Sequence, residues 1–393
     1  MLALEVSLAL IVAGGAASVL VEHLSLASAH KALPSGAHPA SAGRASGGPA
    51  SGGPASGGPA SGGPASGGPA SGGPTSGGPT ELGATEIGAS GGARGACDCV
   101  TAPHACGFPD GTNTGVPSGM ALRSVPSQVS SGPGWHYNAA DGDVVVNVNR
   151  TVLSGLYIPY DLVIDASDVT VRDVRVMAGG YFGISLRHTK DVTIEDSTIS
   201  GQNLTSGRVG AAIDDIYGDS TGIVIKDNNI SEFRTGVQVS SGLIADNYIH
   251  DPGYIHGDHT NGIYVGGTTR PLMIYGNTIF NNLGQTDDIN LDASSSKQVV
   301  ANKSVVDNLL AGGDYSIYGG DARNDHTSNI VIKDNEFGQL YYPKGGHYGP
   351  AAYVNLRQAG NVWSGNVWSG TSRAGNAAVC GGLQPVDLPA AAG

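Results

Sequence analysis

Charged residues are scarce in this chain. Of its 393 residues 13% are charged, and 20 Lys and Arg stand against 33 Asp and Glu, which gives a formal net charge of −13. Nucleic acids and anionic membrane surfaces are bound through basic patches, so this balance argues against both as partners. It argues more weakly against a strongly polyanionic ligand, because a bridging cation would remove the conflict.

Cysteine is scarce as well. Its four cysteines are Cys97, Cys99, Cys106 and Cys380, and no Cys/His spacing is typical of a zinc site. All four are therefore disulfide candidates, and we assign no metal ligands among them. Cys97 and Cys99 are too close in sequence for an easy mutual bridge, so we expect Cys106 to pair with one of them. The choice between the two stays open.

Long apolar runs are confined to the N-terminus. Residues 6–21 (VSLALIVAGGAASVLV) have the length of a signal-peptide core, and the small-x-small pattern ASA follows at 27–29. The segment before the run lacks Lys and Arg and carries Glu5, so residues 1–29 are interpreted as either a signal peptide or an uncleaved anchor. Both predict a secreted or cell-surface protein. No later stretch is apolar enough to span a bilayer, so we expect no other membrane contact.

A low-complexity segment follows. Residues 45–79 are seven copies of a pentapeptide, six reading ASGGP and one TSGGP. Such a composition cannot bury a core, so residues 30–96 are predicted to be a disordered linker. We expect the folded domain to occupy residues 97–393, including a cap at each end.

That domain repeats one short pattern: a β-branched strand, an Asp or Gly corner, and a second short apolar strand. Eight copies lie between residues 169 and 368, and successive corners are 19 to 31 residues apart. The corner residues are Asp173, Asp196, Asp227, Asp246, Gly276, Asp307, Asp334 and Gly365. A period of this length indicates a stack of units in which each buries its apolar face against its neighbours.

Residues 183–199 show one repeat in full. Alternation turns Ile184 and Leu186, then Val192 and Ile194, then Ile199 towards a common interior. The longer strands with tight turns that antiparallel hairpins need are missing, so each strand is expected beside its equivalent one coil later. The sequence therefore predicts an all-β protein wound as a parallel β-helix with about eight to nine coils.

An Asn follows six of the corners. Asn tolerates left-handed backbone, and its amide can bond to the coils above and below, so we expect a structural ladder rather than a binding site. The ladder residues are Asn228, Asn247, Asn277, Asn308, Asn335 and Asn366.

The chain resembles the right-handed parallel β-helices of the pectin-lyase-like superfamily. The resemblance covers roughly residues 107–370 and rests on the GI-x-(I/L/V) strand, the (V/I)xI-x-(D/N)N strand and the Asn corner. It implies a single-stranded right-handed parallel β-helix. The superfamily includes polysaccharide lyases, glycoside hydrolases, uronan epimerases, phage tailspikes and adhesins, so the resemblance narrows the fold more than the activity.

The resemblance also implies a substrate groove along the sheet built from the first strand of each coil. The outward positions of these strands, the last of which is expected at 353–356, carry amides, hydroxyls and aromatic rings, which suit the hydroxyls and flat faces of sugars. Loop 338–350 adds a rim of aromatic and basic side chains. The substrate-binding candidates are Asp214, Asp215, Gln238, Asn290, Tyr318, Lys344 and His347. Alternation should turn one residue of the Asp214-Asp215 pair inward, where it needs a partner.

The catalytic candidates lie on two adjacent coils: Asp258 and His259 on one, Asp287 and Asp288 on the next, with Tyr264 between them. Neighbouring carboxylates repel, so one pKa should rise, as a general acid of glycoside hydrolysis requires. Alternatively, His259 abstracts a proton beside a uronate carboxyl and Tyr264 protonates the leaving oxygen, with a cation such as Ca²⁺ on Asp287 or Asp288. In a third interpretation these acids cap turns or hold a structural calcium ion.

Two functions remain open. The first is a secreted enzyme, a lyase or glycoside hydrolase, acting on an extracellular polysaccharide. The second is a non-catalytic carbohydrate-binding or adhesin-like surface protein. The GHG and R-x-K motifs of polygalacturonases and the arginine signature of pectate lyases are missing, and residues 257–259 (GDH) only echo the epimerase D-P-H-D motif. The oligomeric state stays open.

Overall fold

The structure is a computed structural model that describes residues 99–202, 210–293, 299–320, 326–369 and 385–388. Regular secondary structure in these ranges is β-strand, apart from the 3₁₀-helix Pro103–Cys106. Across the same ranges, no helix combines the length and the apolar character that crossing a membrane requires. The expected signal peptide or anchor (1–29) and the expected linker (30–96) lie outside the described residues.

The strands are short and follow one another closely. In the first third they are β1 (Arg123–Ser124), β2 (Ser131–Gly132), β3 (Trp135–Asn138), β4 (Asp143–Val146), β5 (Val152–Ser154), β6 (Leu156–Ile158), β7 (Asp161–Ile164), β8 (Thr170–Arg172), β9 (Arg175–Ala178) and β10 (Phe182–Leu186). Next come β11 (Thr193–Glu195), β12 (Thr198–Gly201), β13 (Ala211–Asp215), β14 (Val224–Lys226), β15 (Asn229–Ser231), β16 (Thr235–Gln238), β17 (Gly242–Ala245), β18 (Tyr248–His250), β19 (Thr260–Val265) and β20 (Leu272–Tyr275). The last are β21 (Thr278–Asn281), β22 (Thr286–Leu291), β23 (Val300–Val306), β24 (Leu309–Gly312), β25 (Tyr315–Tyr318), β26 (Thr327–Lys333), β27 (Glu336–Phe337), β28 (Gly349–Ala352), β29 (Val362–Ser364) and β30 (Val367–Trp368).

Every third strand joins the same sheet, so the chain winds through three sheets in turn. The first sheet runs β2-β3-β4-β7-β10-β13-β16-β19-β22-β25-β28, the second contains β5 and every third strand up to β29, and the third contains β1, β6 and every third strand up to β30. Pairing is parallel except where β2, β3 and β4 form an antiparallel start. The predicted parallel β-helix is confirmed.

The interior is aliphatic, as alternation predicts. Ile184, Leu186, Val192, Ile194 and Ile199 are all completely buried, and they belong to one continuous apolar core. All eight predicted corner residues have φ between +47° and +67°, the left-handed region in which Asp and Gly are tolerated. Local backbone preference and core patterning therefore agree at every corner.

The Asn ladder is present. Each side-chain amide from Asn228 to Asn335 donates to the side-chain oxygen of the next ladder residue at 2.9–3.0 Å. Asn308 also donates to the Ile274 carbonyl of the preceding coil at 3.1 Å. These bonds satisfy backbone groups that the bend removes from strand pairing.

Two details differ from the sequence prediction. The regular part of the stack, from β7 to β27, contains about seven coils rather than eight to nine, with a less regular coil at each end. The first-sheet strand expected at 353–356 is instead β28, because Tyr315 and Tyr318 pair with residues 349 and 352.

Residues 99–116, called here the N-terminal strap, lie on the outer face of the third sheet. A disulfide joins Cys99 and Cys106 with a Cα–Cα distance of 5.6 Å, which selects one of the two partners that the sequence left open for Cys106. Cys97 and Cys380 lie outside the described residues. Further along the strap, the Gly115 N–H donates to the Asp227 carbonyl at 2.9 Å.

The strap makes an apolar cluster of its own outside the helix core. Val100 and Phe108 pack with Phe280, Leu309 and Ala311 of the third sheet. The strap therefore covers part of one of the three outer faces with the chain's own residues.

Candidate functional site

One continuous row of side chains crosses the outer face of the first sheet. Its members are register partners on successive strands, so the row advances one residue per coil, about 4.8 Å each time. The row consists of Ser185, Asp214, Gln238, Tyr264, Asn290 and Tyr318. The first two are buried and the last four are half-buried. The structure thus aligns Tyr264 with four of the predicted substrate-binding residues.

Asp288 faces the interior and does not reach this row. Register with the preceding strand places it at the position that Gly262 occupies one coil earlier. A Cβ atom at Gly262 would lie 2.3 Å from Cγ2 of the core residue Ile279, so the position faces the core. The structure therefore does not bring Asp288, predicted as a catalytic residue, to the outer face of the sheet.

The surroundings of Asp288 favour its neutral form. Burial raises the pKa of this carboxyl well above its ordinary value, and the neighbouring Ser316 hydroxyl and Asn281 backbone offset only part of the rise. An unpaired buried charge is so unfavourable that such a group keeps its proton. Asp288 is thus a neutral interior acid.

Asp287 faces outward but is also completely buried. Within the described part of the chain, neither of its carboxyl oxygens has a hydrogen-bond partner. Burial raises the pKa of Asp287 well above its ordinary value, and Asp288, Asp292 and Asp314 add to the rise, while the neighbouring Asn290 side chain opposes it. A protonated carboxyl therefore lies beneath the middle of the outer row.

Two further carboxyl groups flank Asp287. Asp292 accepts a 2.5 Å hydrogen bond from the Tyr264 hydroxyl, and burial together with this bond raises the pKa of Tyr264. Asp314 lies just before β25. Burial raises the pKa of its carboxyl, and the nearby His347 lowers it. Oδ1 of Asp314 is 3.8 Å from Nδ1 of His347.

Residues 338–350, called here the rim loop, carry a stack of rings beside these acids. The His347 ring lies between Tyr342, at 5.4 Å and 10°, and Tyr348, at 4.5 Å and 6°. Tyr348 also contacts Tyr315 of the first sheet, with ring centroids 5.8 Å apart. Lys344 is exposed on the same loop. Rings stacked this way present a flat apolar surface with polar edges.

The two catalytic candidates on the preceding coil have different surroundings. Asp258 is 2% exposed, and its Oδ2 accepts the Ile255 N–H at 3.1 Å, which fits the turn-capping interpretation. His259 is exposed, its Nδ1 lies 3.4 Å from the Gln285 amide nitrogen, and its proximity lowers the pKa of Asp314. The structure therefore brings His259, but not Asp258, to the groove.

The Asp214-Asp215 pair divides as alternation predicts. Asp215 is the register partner of the core residue Leu186 and accepts the Ser220 N–H at 3.2 Å, with the Arg270 guanidinium 4.0 Å away. Asp215 is predicted from the sequence to bind substrate, but its carboxyl faces inward, so the structure does not place it on the outer row. Asp214 belongs to the outer row, and burial, followed by the charge of Asp215, raises its pKa to about 7.

Sequence reasoning missed Asp292, Asp314 and Tyr315. Asp292 stands two residues after the outward Asn290, so alternation alone would have placed it on the same face. Tyr315 is found only through the register, which pairs it with Asp287. Asp314 lies in a turn, where no periodic signal exists.

The possible Ca²⁺ of the sequence prediction has no acidic cage in the structure. Over the described ranges, no group of three or more His, Cys, Asp or Glu side chains is arranged to hold a metal ion. Asp287 and Asp288 cannot share one cation, because they lie on opposite faces of the sheet.

The fold and the outer row together define a class of protein: a parallel β-helix whose first sheet carries polar and tyrosine side chains on its outer face. Residues 162–380, more than half of the chain, match the family described as "Right handed beta helix region", and the chain belongs to this family. No curated protein and no solved structure matches the chain. Membership supports a polysaccharide-related or surface protein in general terms.

Proposed function

We propose that this protein binds an extracellular polysaccharide along the outer face of the first sheet and hydrolyses a glycosidic bond there. The observation that carries the proposal is the half-buried row Gln238, Tyr264, Asn290 and Tyr318, aligned by register. Amides bind pairs of hydroxyls, and phenol rings pack on the apolar faces of sugar rings. A polymer that repeats hydroxyls along its length matches a row that repeats these groups coil by coil.

The charge of the face favours hydrolysis of a neutral glycan over elimination from a uronate. Three carboxyl groups, those of Asp287, Asp292 and Asp314, lie beside the middle of the row. An ionised uronate there would meet acidic groups, and elimination requires its carboxylate to be neutralised. A neutral sugar meets no such repulsion.

The acids differ in the way that hydrolysis requires. Asp287 is fully buried and its pKa is raised well above the ordinary value, which favours the protonated form, so we assign it as the proton donor to the leaving oxygen. The Asp314 side chain is 22% exposed beside His347, so it is assigned as the base that activates water. Since Asp287 is covered, the glycan reaches it only when the side chains above it move.

That same burial supports a second candidate, a glycan-binding surface protein without catalysis. If the side chains that cover Asp287 do not move aside, its carboxyl never contacts the glycan and has only a structural role in the sheet. The aligned row and the ring stack of the rim loop would then bind a polysaccharide unchanged.

A panel of neutral and acidic polysaccharides tests both candidates. New reducing ends without the ultraviolet absorbance of unsaturated sugars support hydrolysis. Growth of that absorbance means elimination and rejects the assigned reaction. Retention on one polysaccharide without any product supports the binder. Neither retention nor product on any member of a broad panel rejects both.

A further inference from the structure

We propose that the N-terminal strap is a positioning element for the rim loop, so that the Cys99–Cys106 disulfide on the third sheet controls how firmly a glycan is held on the first sheet. Only the effect on glycan rests on the proposed function. The contact between strap and loop stands on its own geometry.

The strap touches the rim loop where the loop begins. A Cβ atom at Gly338 would lie 2.1 Å from Cγ1 of Val100 and 3.1 Å from Cβ of Ala311. Val100 thus packs directly on the backbone of Gly338, and only glycine leaves room for it. Val100 lies one residue from the disulfide, so the bridge fixes the side chain that covers the start of the loop.

A second contact runs through Phe280. The apolar cluster of the strap includes Phe280, and the Tyr341 ring of the rim loop meets the same phenylalanine edge-to-face at 6.4 Å. Tyr341 also lies against the backbone of Gly312, where a Cβ atom would be 3.2 Å from its Cδ2. Phe280 therefore supports the strap and the loop together.

The other end of the loop is tied to the candidate site. The His347 N–H donates to the Gly313 carbonyl and the Tyr348 N–H to the Asp314 carbonyl, both at 2.8 Å. These bonds hold the stacked rings over Asp314. The loop thus spans the corner between the third and first sheets, with the strap at its start and the ring stack at its end.

Opening the disulfide removes this support without touching the glycan face. A dithiol such as dithiothreitol cleaves the S–S bond by supplying two electrons and two protons, which yields two cysteine thiols and the cyclic disulfide of the reagent. Val100 is then held only by its own packing. Local opening of the rim loop should become more frequent while the β-helix core stays folded.

Three variants test the coupling by hydrogen exchange at the amides of residues 338–350. Cys99→Ala/Cys106→Ala and Val100→Ala should each raise exchange at His347 and Tyr348 roughly tenfold, because local opening is easier. Val152→Ala removes the same side-chain atoms from an exposed position of the second sheet and should leave exchange at both amides unchanged. Circular dichroism shows whether each variant keeps its strands.

Unchanged exchange of the rim loop in both strap variants overturns the coupling. The affinity for the polysaccharide that the wild type retains is the second readout, and it should fall about three- to tenfold in the strap variants as the rings lose their position. If hydrogen exchange of the rim loop changes in the strap variants but their affinity for the polysaccharide does not, the strap does not control glycan binding. If the wild type binds no polysaccharide, the proposed function fails, and exchange alone still decides the contact.

Discussion

Asp287 and Asp288 are adjacent in sequence, yet their carboxyl groups lie on opposite sides of the first sheet. Asp288 takes the interior position of Gly262, whereas Asp287 lies beneath the outer row beside Tyr264 and Tyr318. Both carboxyls are fully buried and both pKa values are raised. The two carboxyl groups differ in the side of the sheet that they face, and this difference distinguishes the candidate proton donor, Asp287, from the interior acid, Asp288. The pair therefore serves as an internal control.

Asp287→Asn should abolish hydrolysis while leaving the fold intact. An amide cannot donate the proton that the leaving oxygen needs, and loss of general acid catalysis lowers kcat by about 10²- to 10⁴-fold. The neutral amide is close in shape to the protonated acid, so the melting temperature should change little. Steady-state release of reducing ends measures the first effect, and thermal unfolding followed by circular dichroism measures the second.

The matched control is Asp288→Asn. Its amide replaces a neutral acid inside the helix, so kcat should stay within about threefold of the wild type. Loss of turnover in Asp288→Asn, with Asp287→Asn still active, would exchange the two assigned roles. Full activity in both variants would remove these aspartates from the reaction.

Tyr318→Ala should weaken polysaccharide binding by about tenfold, because an aromatic ring in contact with a sugar face contributes roughly 1–1.5 kcal/mol. Tyr217→Ala is the control, since Tyr217 is 56% exposed, stacks on His188 and is not a member of the outer row. Affinity electrophoresis in gels containing the polysaccharide compares the two. Equal retardation of Tyr318→Ala and the wild type would place the glycan elsewhere.

Much of the fold could be predicted from sequence because local and global preferences coincide. Asp173 and its equivalents combine a left-handed corner with alternating aliphatic strands, and both signals repeat with the coil. The coil count was less accurate. The terminal coils have short or antiparallel strands, and the assignment of 353–356 failed because the rim loop shifts the last first-sheet strand to β28.

The candidate site was only partly predictable. Simple alternation identified the outward Gln238, Tyr264 and Asn290, but it could not tell that Asp288 and Ile289 both face the interior. That break in alternation depends on the backbone conformation at the start of β22, which is set by the packing of neighbouring coils rather than by the local sequence. Proximity of Asp314 to Asp287 depends likewise on the stacking of coils.

Asn308→Ala should destabilise the whole helix. The variant removes the acceptor for the Asn277 N–H and side-chain amide, both at 3.0 Å, inside a fully buried ladder. Leaving buried donors unpaired costs about 2–4 kcal/mol. Asn282→Ala, at an exposed position, should cost less than about 1 kcal/mol. Chemical denaturation measures both, and equal small losses would show that the ladder contributes little to stability.

Asp214 should make the protein less stable as pH rises from about 4 towards 7. Its folded pKa of about 7 lies above the ordinary value of 3.8. Below pH 3.8 both states hold the proton, so the folded state carries no penalty from this group. Between these values the unfolded chain releases the proton and the folded chain keeps it, so the free energy of unfolding falls as pH rises. Above about pH 7 the folded carboxyl ionises too, and the loss levels off.

Asp214→Asn removes this dependence, because an amide does not titrate. Relative to the wild type, the variant should gain on the order of 3 kcal/mol in unfolding free energy between pH 4 and pH 8. Asp168→Asn, at an exposed corner, controls for the removal of one charge. Urea denaturation at both pH values gives the difference for each variant. A gain in Asp214→Asn no larger than that in Asp168→Asn would mean that Asp214 is ionised within the folded sheet at neutral pH, and the buried outer row would then have to contain a compensating charge.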